Sequence, residues 1–283
     1  FKVSVIEGED VDTEAVVSAV KESISLSELP VKAVLIGQKA EDTNLLAVVA
    51  HHAVVDGVTW QIIADDLQTA LERLAEHKEI RLVKEFTTLS HWNEVLEGYK
   101  AAAHSQLNYW KRQIMPYNMK AKWRSIPEND RVKDNVSAQV TISHEVTGSL
   151  LKIVETTTRE RSFTVNDVLL TALTKALTDI FDENEITVML ESHGRESSIV
   201  NCDLSRTAGW FTAMYPVRFE FSDISDCVKM LDEVRAELKR VPDNGIGYGV
   251  LKYMNRELDD AQKYIRFNYL GNASGGHEDS RIK

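Results

Sequence analysis

The chain has 283 residues, and its 33 lysine and arginine side chains against 44 aspartate and glutamate side chains give a formal net charge of −11. With 43% hydrophobic and 27% charged residues, the composition is that of a soluble globular protein. The acidic balance excludes a general nucleic-acid binder, since contact with phosphates requires a positive surface. The longest apolar run, from Leu45 to Ala50, is too short to cross a membrane.

Cysteine usage and length favour a fold that needs no covalent cross-links. A chain of 283 residues can bury a large core without disulfides or structural metals. Its two cysteines, Cys202 and Cys227, form no Cys-x-x-Cys pair, which excludes a zinc ribbon or a ferredoxin-like cluster. The chain opens at Phe1 without a basic-then-apolar signal segment, and we expect it to be an internal piece of a longer protein.

Hydrophobic periodicity predicts helices and strands in alternation, which favours a mixed α/β fold. In the first half we predict, in chain order, a helix capped by Asp12 or Thr13 and ending near Ser23, strands over 31–36 and 45–50, a helix over 60–74 and a helix over 96–114.

The periodicity then fails in a stretch that contains Pro116 and Pro127. We interpret residues 116–135 as a linker. It would join an N-terminal lobe, residues 1–115, to a C-terminal lobe, residues 136–283.

The second half alternates in the same way. Thr164 and Asp167 have the spacing of a capping box at the start of a helix. The side chains predicted to form one face of this helix are Val165, Leu169, Ala172, Ala176 and Ile180. The other predicted elements are a strand over 138–142, a helix from Thr147, strands over 186–190 and 215–221, a helix over 226–241 and a final strand over 264–270.

The most informative stretch is LLAVVAHHAVVDGVTWQIIADDL, residues 45–67, where an apolar strand leads to His51 and His52. Neighbouring strand residues face opposite sides, so one histidine is expected to reach a cleft while the other packs. Imidazole titrates near neutrality and is the usual general base at physiological pH. Asp56 is expected to orient a ring or to pair with an arginine, and Gly57 to supply the backbone conformation of a strand-to-helix turn.

Two other interpretations of this stretch stay open. Adjacent histidines at a strand end are more often structural than catalytic. A metal site is the weakest alternative, because neighbouring strand residues diverge and no third ligand stands at an established spacing.

A second strand ends in Glu191, followed by Ser192, His193, Gly194, Arg195 and Glu196. A carboxylate at a strand end near an arginine fits an acid or base with a shifted pKa. A surface salt-bridge network around a turn fits the same spacing equally well.

Two clusters, RTAGWFTAMYP (206–216) and GIGYGVLKY (245–253), place glycines beside aromatic residues. This composition is typical of backbone that approaches a ligand or another strand closely, and it is equally typical of core turns.

Taken together, these motifs resemble the epimerization domains of nonribosomal peptide synthetases, within the condensation-domain superfamily. His51 to Gly57 match the superfamily motif HHxxxDG, which condensation domains share. ESHGRE (191–196) resembles the epimerization motif EGHGRE, with Ser192 in place of glycine, and RTAGWFT (206–212) resembles RTVGWFT. FTVNDVLLTAL (163–173), GIGYGVLKY and FNYLG (267–271) match further segments of that family in family order.

The resemblance implies an α/β, two-lobed chloramphenicol acetyltransferase-like fold with its active site in a tunnel between the lobes. It identifies His52 as the catalytic histidine and Glu191 as the group that faces it. It implies a mainly structural role for Asp56. It also implies that Asn268 and Tyr269 of the closing motif lie near the site. His51, Gly57 and Arg195 are expected to support the site.

The family also indicates what the domain works with. Its substrate is tethered to the phosphopantetheine of a peptidyl or aminoacyl carrier protein, so we expect no cofactor of its own and no metal. The expected partners are the carrier protein and neighbouring synthetase domains, with no nucleic acid and no membrane, in the cytoplasm. Relative to the family, only about 50 residues precede the histidine motif, which predicts an incomplete first lobe, and the chain stops soon after FNYLG.

The function that this resemblance implies is inversion of an α-carbon from L to D by deprotonation and reprotonation. We expect His52 and Glu191 to exchange the proton, and the sequence does not assign which of them is acid or base. Two alternatives stay open: a condensation domain that joins two carrier-bound substrates, and a carrier-docking module whose catalytic site has decayed.

Overall fold

The computed structural model describes residues 2–8, 11–28, 30–38, 43–115, 136–161, 163–196, 199, 202–260 and 264–271. In chain order, the main elements are β1 (Lys2–Gly8), α1 (Thr13–Glu22), β2 (Val31–Gln38), β3 (Thr43–Ala50), α2 (Gly57–Ala75), α3 (Leu89–His104), α4 (Leu107–Gln113), α5 (His144–Arg161), α6 (Val165–Phe181), β4 (Glu185–Ser192), β5 (Ala213–Glu220), α7 (Cys227–Leu238) and β6 (Ile265–Phe267). No helix of these residues is long and apolar enough to cross a membrane.

The chain forms two compact units. Among the described residues, the first comprises those up to Val95 together with Arg195–Thr212, and the second comprises Leu96–Gly194 together with residues 213–271. These units do not follow the predicted lobes 1–115 and 136–283, which stay predictions. The predicted linker, 116–135, lies outside the described residues.

The first unit contains a sheet in the order β1-β2-β3. β1 runs parallel to β2, and α1 provides the crossover that a parallel pair requires. β3 runs antiparallel to β2 and brings the chain to the histidine motif. Ala33, Val34 and Ile36 of the central strand are buried.

The second unit contains a sheet in the order β5-β4-β6, with β5 antiparallel and β6 parallel to β4. The central strand is buried from Ile186 to Leu190. This near-continuous apolar run is what a strand covered on both faces requires. Trp110 and Tyr248 lie in the same core, with ring centroids 5.5 Å apart.

Most predicted elements are confirmed, and their ends follow local capping. Asp12 caps α1 by accepting a hydrogen bond from the Ala15 backbone at 2.9 Å. Thr164 and Asp167 form the predicted capping box of α6. The strands predicted over 31–36, 45–50, 186–190 and 215–221 correspond to β2, β3, β4 and β5.

Four predicted elements differ from the structure. Residues 138–142 form no strand, since no neighbouring strand among the described residues pairs with them, and α5 begins at His144 instead of Thr147. The predicted helix 96–114 is two helices, α3 and α4, separated at Ser105, whose hydroxyl bonds back to the Ala102 carbonyl at 2.7 Å. The final strand is only three residues long.

The apolar face predicted for α6 is not the side that the helix buries. Ile180 is 72% exposed, whereas Leu170 is fully buried. The buried side of the helix is formed by Asp167, Leu170, Thr171, Thr174, Leu177 and Thr178. Each of these threonine hydroxyls donates to a carbonyl of the preceding turn, at 2.7 to 3.0 Å. Buried threonine needs no partner outside its own helix, which is why apolar periodicity selected the wrong face.

Candidate active site

The two histidines of the motif lie in a turn that follows β3. The strand ends at Ala50, and His52 begins a single turn of 3-10 helix that His51 caps. The backbone N–H of His51 donates to the Pro30 carbonyl at 2.8 Å, and its ring Nδ1 accepts from the Ala53 backbone at 3.1 Å. His51 is therefore held in place and half-buried, while His52 is exposed. The difference between them comes from this turn and not from strand alternation.

Asp56 starts α2. Its carboxylate accepts hydrogen bonds from the backbone N–H and the hydroxyl of Thr59, both at 2.8 Å. The guanidinium of Arg195 lies 2.8 and 3.0 Å from the two carboxylate oxygens. Both charged side chains are almost completely buried, at 4% and 5% exposure. Asp56 thus pairs with an arginine, one of the two roles that the sequence predicted, and it also caps α2, which the sequence analysis did not predict.

The pKa of the Asp56 carboxyl reflects two opposing effects. Burial raises it, because the charged form loses its hydration. Hydrogen bonds from Thr59, Arg195 and the Phe211 backbone outweigh burial, so the pKa lies below its ordinary value. The lowered pKa favours the charged form of Asp56, which suits an anchor for Arg195.

Gly57 does not have the role that the sequence suggested. As the first residue of α2 it has no positive φ, and an added Cβ would meet nothing within 4 Å. The turn before α2 is held instead by the hydrogen bonds of Asp56.

Arg195 is a buried link within the first unit. Besides Asp56, it donates to the carbonyls of Leu204 and Thr207, and its guanidinium lies 4.1 Å from the centre of the Phe211 ring. The surface salt-bridge interpretation is therefore wrong for this arginine.

Thr59 is a central residue that the sequence analysis missed. Its hydroxyl lies within hydrogen-bonding distance of the Gly209 carbonyl, at 2.9 Å, and of the Gly209 N–H, at 3.1 Å. The spacing Asp56-x-x-Thr59, which places Thr59 in the first turn after a cap, was the available signal.

The glycine of RTAGWFT is explained by packing. A Cβ on Gly209 would lie 2.9 Å from the Phe211 ring and 3.2 Å from a methyl group of Leu89. The next residue, Trp210, lies beside His52, with ring centroids 5.8 Å apart and ring planes at 60°. This tryptophan lies within the RTAGWFT motif, but no signal in the sequence assigned it to the site.

In the second unit, Glu191 lies near the end of β4 and is half-buried. β6 runs parallel to β4, and Leu190 lies opposite Phe267. The residues that follow them, Glu191 and Asn268, therefore lie side by side. The amide nitrogen of Asn268 donates to the Glu191 carboxylate at 2.7 Å. The structure thereby brings together ESHGRE and FNYLG, two motifs that lie far apart in the sequence. Tyr269 is exposed.

The serine that replaces the family glycine in ESHGRE makes a local contact. The Ser192 hydroxyl donates to the Asn244 carbonyl at 2.8 Å. Gly245 follows with φ +88°, and a Cβ there would lie 1.8 Å from the Tyr215 ring. The first glycine of GIGYGVLKY is thus required by close packing against Tyr215.

The chain matches a known protein family over almost its whole length. A family model for the condensation domain matches residues 1–281, and the chain therefore belongs to the condensation-domain family.

Its curated relatives are much longer proteins. The chain is 36% identical over 269 residues to one of the subunits of linear gramicidin synthase from Brevibacillus parabrevis, a match that covers 91% of the chain and 3% of that protein. It is 35% identical over 246 residues to bacitracin synthase 3 of Bacillus licheniformis, covering 82% of the chain and 4% of that protein. The chain thus spans a small part of the relatives it matches.

Solved structures share the fold. The epimerization domain from the third module of tyrocidine synthetase B matches with a TM-score of 0.69 and 27% identity, covering 89% of this chain and 57% of that one. The first condensation domain of the calcium-dependent antibiotic synthetase, in complex with a substrate analogue, matches with a TM-score of 0.64 and 14% identity, covering 94% and 59%. The expected α/β, chloramphenicol acetyltransferase-like fold is confirmed.

Proposed function

We propose that this chain is part of a nonribosomal peptide synthetase epimerization domain, which inverts an aminoacyl or peptidyl α-carbon from L to D. The observation that carries the proposal is the hydrogen bond between Asn268 and Glu191, which joins two motifs of the epimerization type in one contact. The identity of 27% to an epimerization domain, against 14% to a condensation domain, supports the same subtype.

The chemistry needs a group that removes the α-proton and a group that returns one to the opposite face. A thioester acidifies this proton, because the carbanion delocalises into the carbonyl as an enolate. The carbon acid is still weak, so the site has to stabilise the enolate and exclude water. We assign the proton transfers to His52 and Glu191, with Asn268 orienting the carboxylate.

The substrate is proposed to arrive as a thioester on the phosphopantetheine arm of a carrier protein. The relatives named above belong to large peptide synthases, which supports a carrier protein and neighbouring synthetase domains as partners. No cofactor of its own is required, because the thioester itself serves as the electron sink.

The test uses carrier proteins loaded with L-alanyl, L-phenylalanyl or L-valyl thioesters, incubated with the chain in heavy water. Deuterium at the α-carbon and D-configured product are expected from the wild-type chain. His52→Ala and Glu191→Gln should abolish both. His91→Ala and Glu94→Gln are matched controls, since these residues form an exposed pair on α3 and should leave exchange unchanged.

Other outcomes separate the alternatives. Peptide-bond formation between two loaded carriers, without deuterium uptake, would identify a condensation domain. Binding of a loaded carrier with neither reaction would identify a docking module.

A further inference from the structure

Trp210 belongs to the RTAGWFT motif, but packing in the core does not explain its position. Its indole is 50% exposed, whereas Trp92 of the same unit is 5% exposed. Its ring lies against that of His52, at 5.8 Å between centroids and 60° between planes. This is the edge-to-face arrangement that aromatic pairs prefer.

The backbone on both sides of Trp210 is anchored to the start of α2. The N–H of Gly209 donates to the Thr59 hydroxyl at 3.1 Å, and the Gly209 carbonyl lies 2.9 Å from the same hydroxyl. The N–H of Phe211 donates to the Asp56 carboxylate at 3.1 Å. Because Asp56 closely follows the turn that carries His52, the same helix end fixes both the histidine and the tryptophan.

The His52 ring lacks the support that its neighbour has. His51 accepts a hydrogen bond at Nδ1, but the structure shows none to the ring of His52 within the described part of the chain. Histidines that transfer protons are commonly oriented by a hydrogen bond to the nitrogen that faces away from the substrate. An edge-to-face contact restricts the tilt of the ring without occupying either nitrogen.

We propose that Trp210 is a positioning residue for His52: the anchored indole holds the imidazole in one orientation and shields one side of it from water. This role rests on the proposed epimerization reaction. It predicts that Trp210 affects the rate of the chemical step and not the binding of the loaded carrier.

The first experiment needs no substrate. The chain is labelled with ¹³C-histidine, and the imidazole resonances of His52 are assigned by comparison with His52→Ala. Trp210→Ala should move the His52 resonances, because the ring current of the indole is lost, and should leave those of exposed His91 in place. Trp60→Ala, at another partly exposed tryptophan of the same unit, is the matched control and should move neither.

The second experiment measures α-proton exchange on the loaded carriers described above. Trp210→Ala should lower kcat about 10- to 100-fold with KM unchanged, the loss typical of a misplaced catalytic group. Trp210→Phe, which keeps an aromatic ring, should restore most of the rate, and Trp60→Ala should leave it unchanged.

Three results would overturn the inference. Unchanged His52 resonances in Trp210→Ala would show that the rings do not interact. A raised KM with unchanged kcat would make Trp210 part of a docking surface instead. Absence of exchange in the wild-type chain on every carrier would remove the proposed function itself, and the positioning role with it, even where the resonances shift as expected.

Discussion

At the scale of single residues, the buried pair of Asp56 and Arg195 organises the first unit. Burying two charges is costly, and the cost is offset only when their remaining hydrogen-bonding groups find partners. Here the carboxylate also binds Thr59 and the Phe211 backbone, and the guanidinium also binds the carbonyls of Leu204 and Thr207. Removing one member therefore leaves the other as an uncompensated charge.

Arg195→Ala should destabilise the chain by about 3–5 kcal/mol, because it leaves the Asp56 carboxylate buried without the positive charge that compensates it. The free energy of unfolding in urea measures the effect. Arg81→Ala is the control: Arg81 pairs with Glu79 at 75% and 73% exposure and should cost about 1 kcal/mol or less. Equal losses in the two variants would contradict the buried-pair interpretation.

The lowered pKa of Asp56 predicts a pH dependence. A carboxyl whose pKa is lower in the folded than in the unfolded chain contributes stability above its ordinary pKa, and loses it as the pH falls through the folded value. The stability difference between the wild type and Asp56→Asn should thus be constant above about pH 5 and shrink on acidification below about pH 4. Urea unfolding from above about pH 5 to below about pH 4 measures it, and a difference that does not change with pH would count against the assignment.

At the scale of elements, α6 shows how a helix can bury a polar side. Its threonines are buried, and their hydroxyls bond to the helix backbone. Leu170 and Leu177 complete this side, at 0% and 7% exposure. The side marked by apolar residues, including Ile180, faces outward.

This orientation can be tested with matched truncations in one helix. Leu170→Ala should cost about 2–5 kcal/mol, the range for a large side chain deleted from a packed core. Ile180→Ala should change the free energy of unfolding by about 0.5 kcal/mol or less, as expected for an exposed position. The free energy of unfolding of both variants, measured in chemical denaturant, tests which side of α6 is buried. A larger loss in Ile180→Ala than in Leu170→Ala would show that the apolar side predicted from periodicity is the buried one.

At the scale of the whole molecule, both cysteines are free, Cys202 partly buried and Cys227 exposed. Neither unit is held by a disulfide, so stability depends on packing, hydrogen bonds and ion pairs such as that of Asp56 with Arg195. Burial also raises the pKa of the Cys202 thiol, which slows its reaction as a thiolate.

A reducing agent should therefore leave the melting temperature unchanged. A thiol reagent should modify Cys227 first and Cys202 slowly, and Cys227→Ser should remove the fast phase. Titration of the folded chain with Ellman's reagent measures both phases. A melting temperature that falls on reduction would reveal a cross-link absent from this structure.

Prediction succeeded for helix ends that depend on residues close together in the sequence. The cap of α1 and the capping box of α6 depend on residues three positions apart, and both are confirmed. Prediction failed where the outcome depended on a distant partner. Residues 138–142 alternate like a strand but pair with none among the described residues, and the face of α6 was decided by the core that it meets.

The sequence alone established the family and the α/β fold, because its motifs are short, contiguous and in family order. It also predicted the cap Asp12, because a cap acts within one helical turn. Only the tertiary structure decided which side chains meet. Arg195 binds a carboxylate 139 positions away, Asn268 reaches Glu191 across 77 positions, and Trp210 stands against His52. Such contacts leave no periodic signal in the chain, since strand register and helix packing, and not spacing along the sequence, bring the residues together.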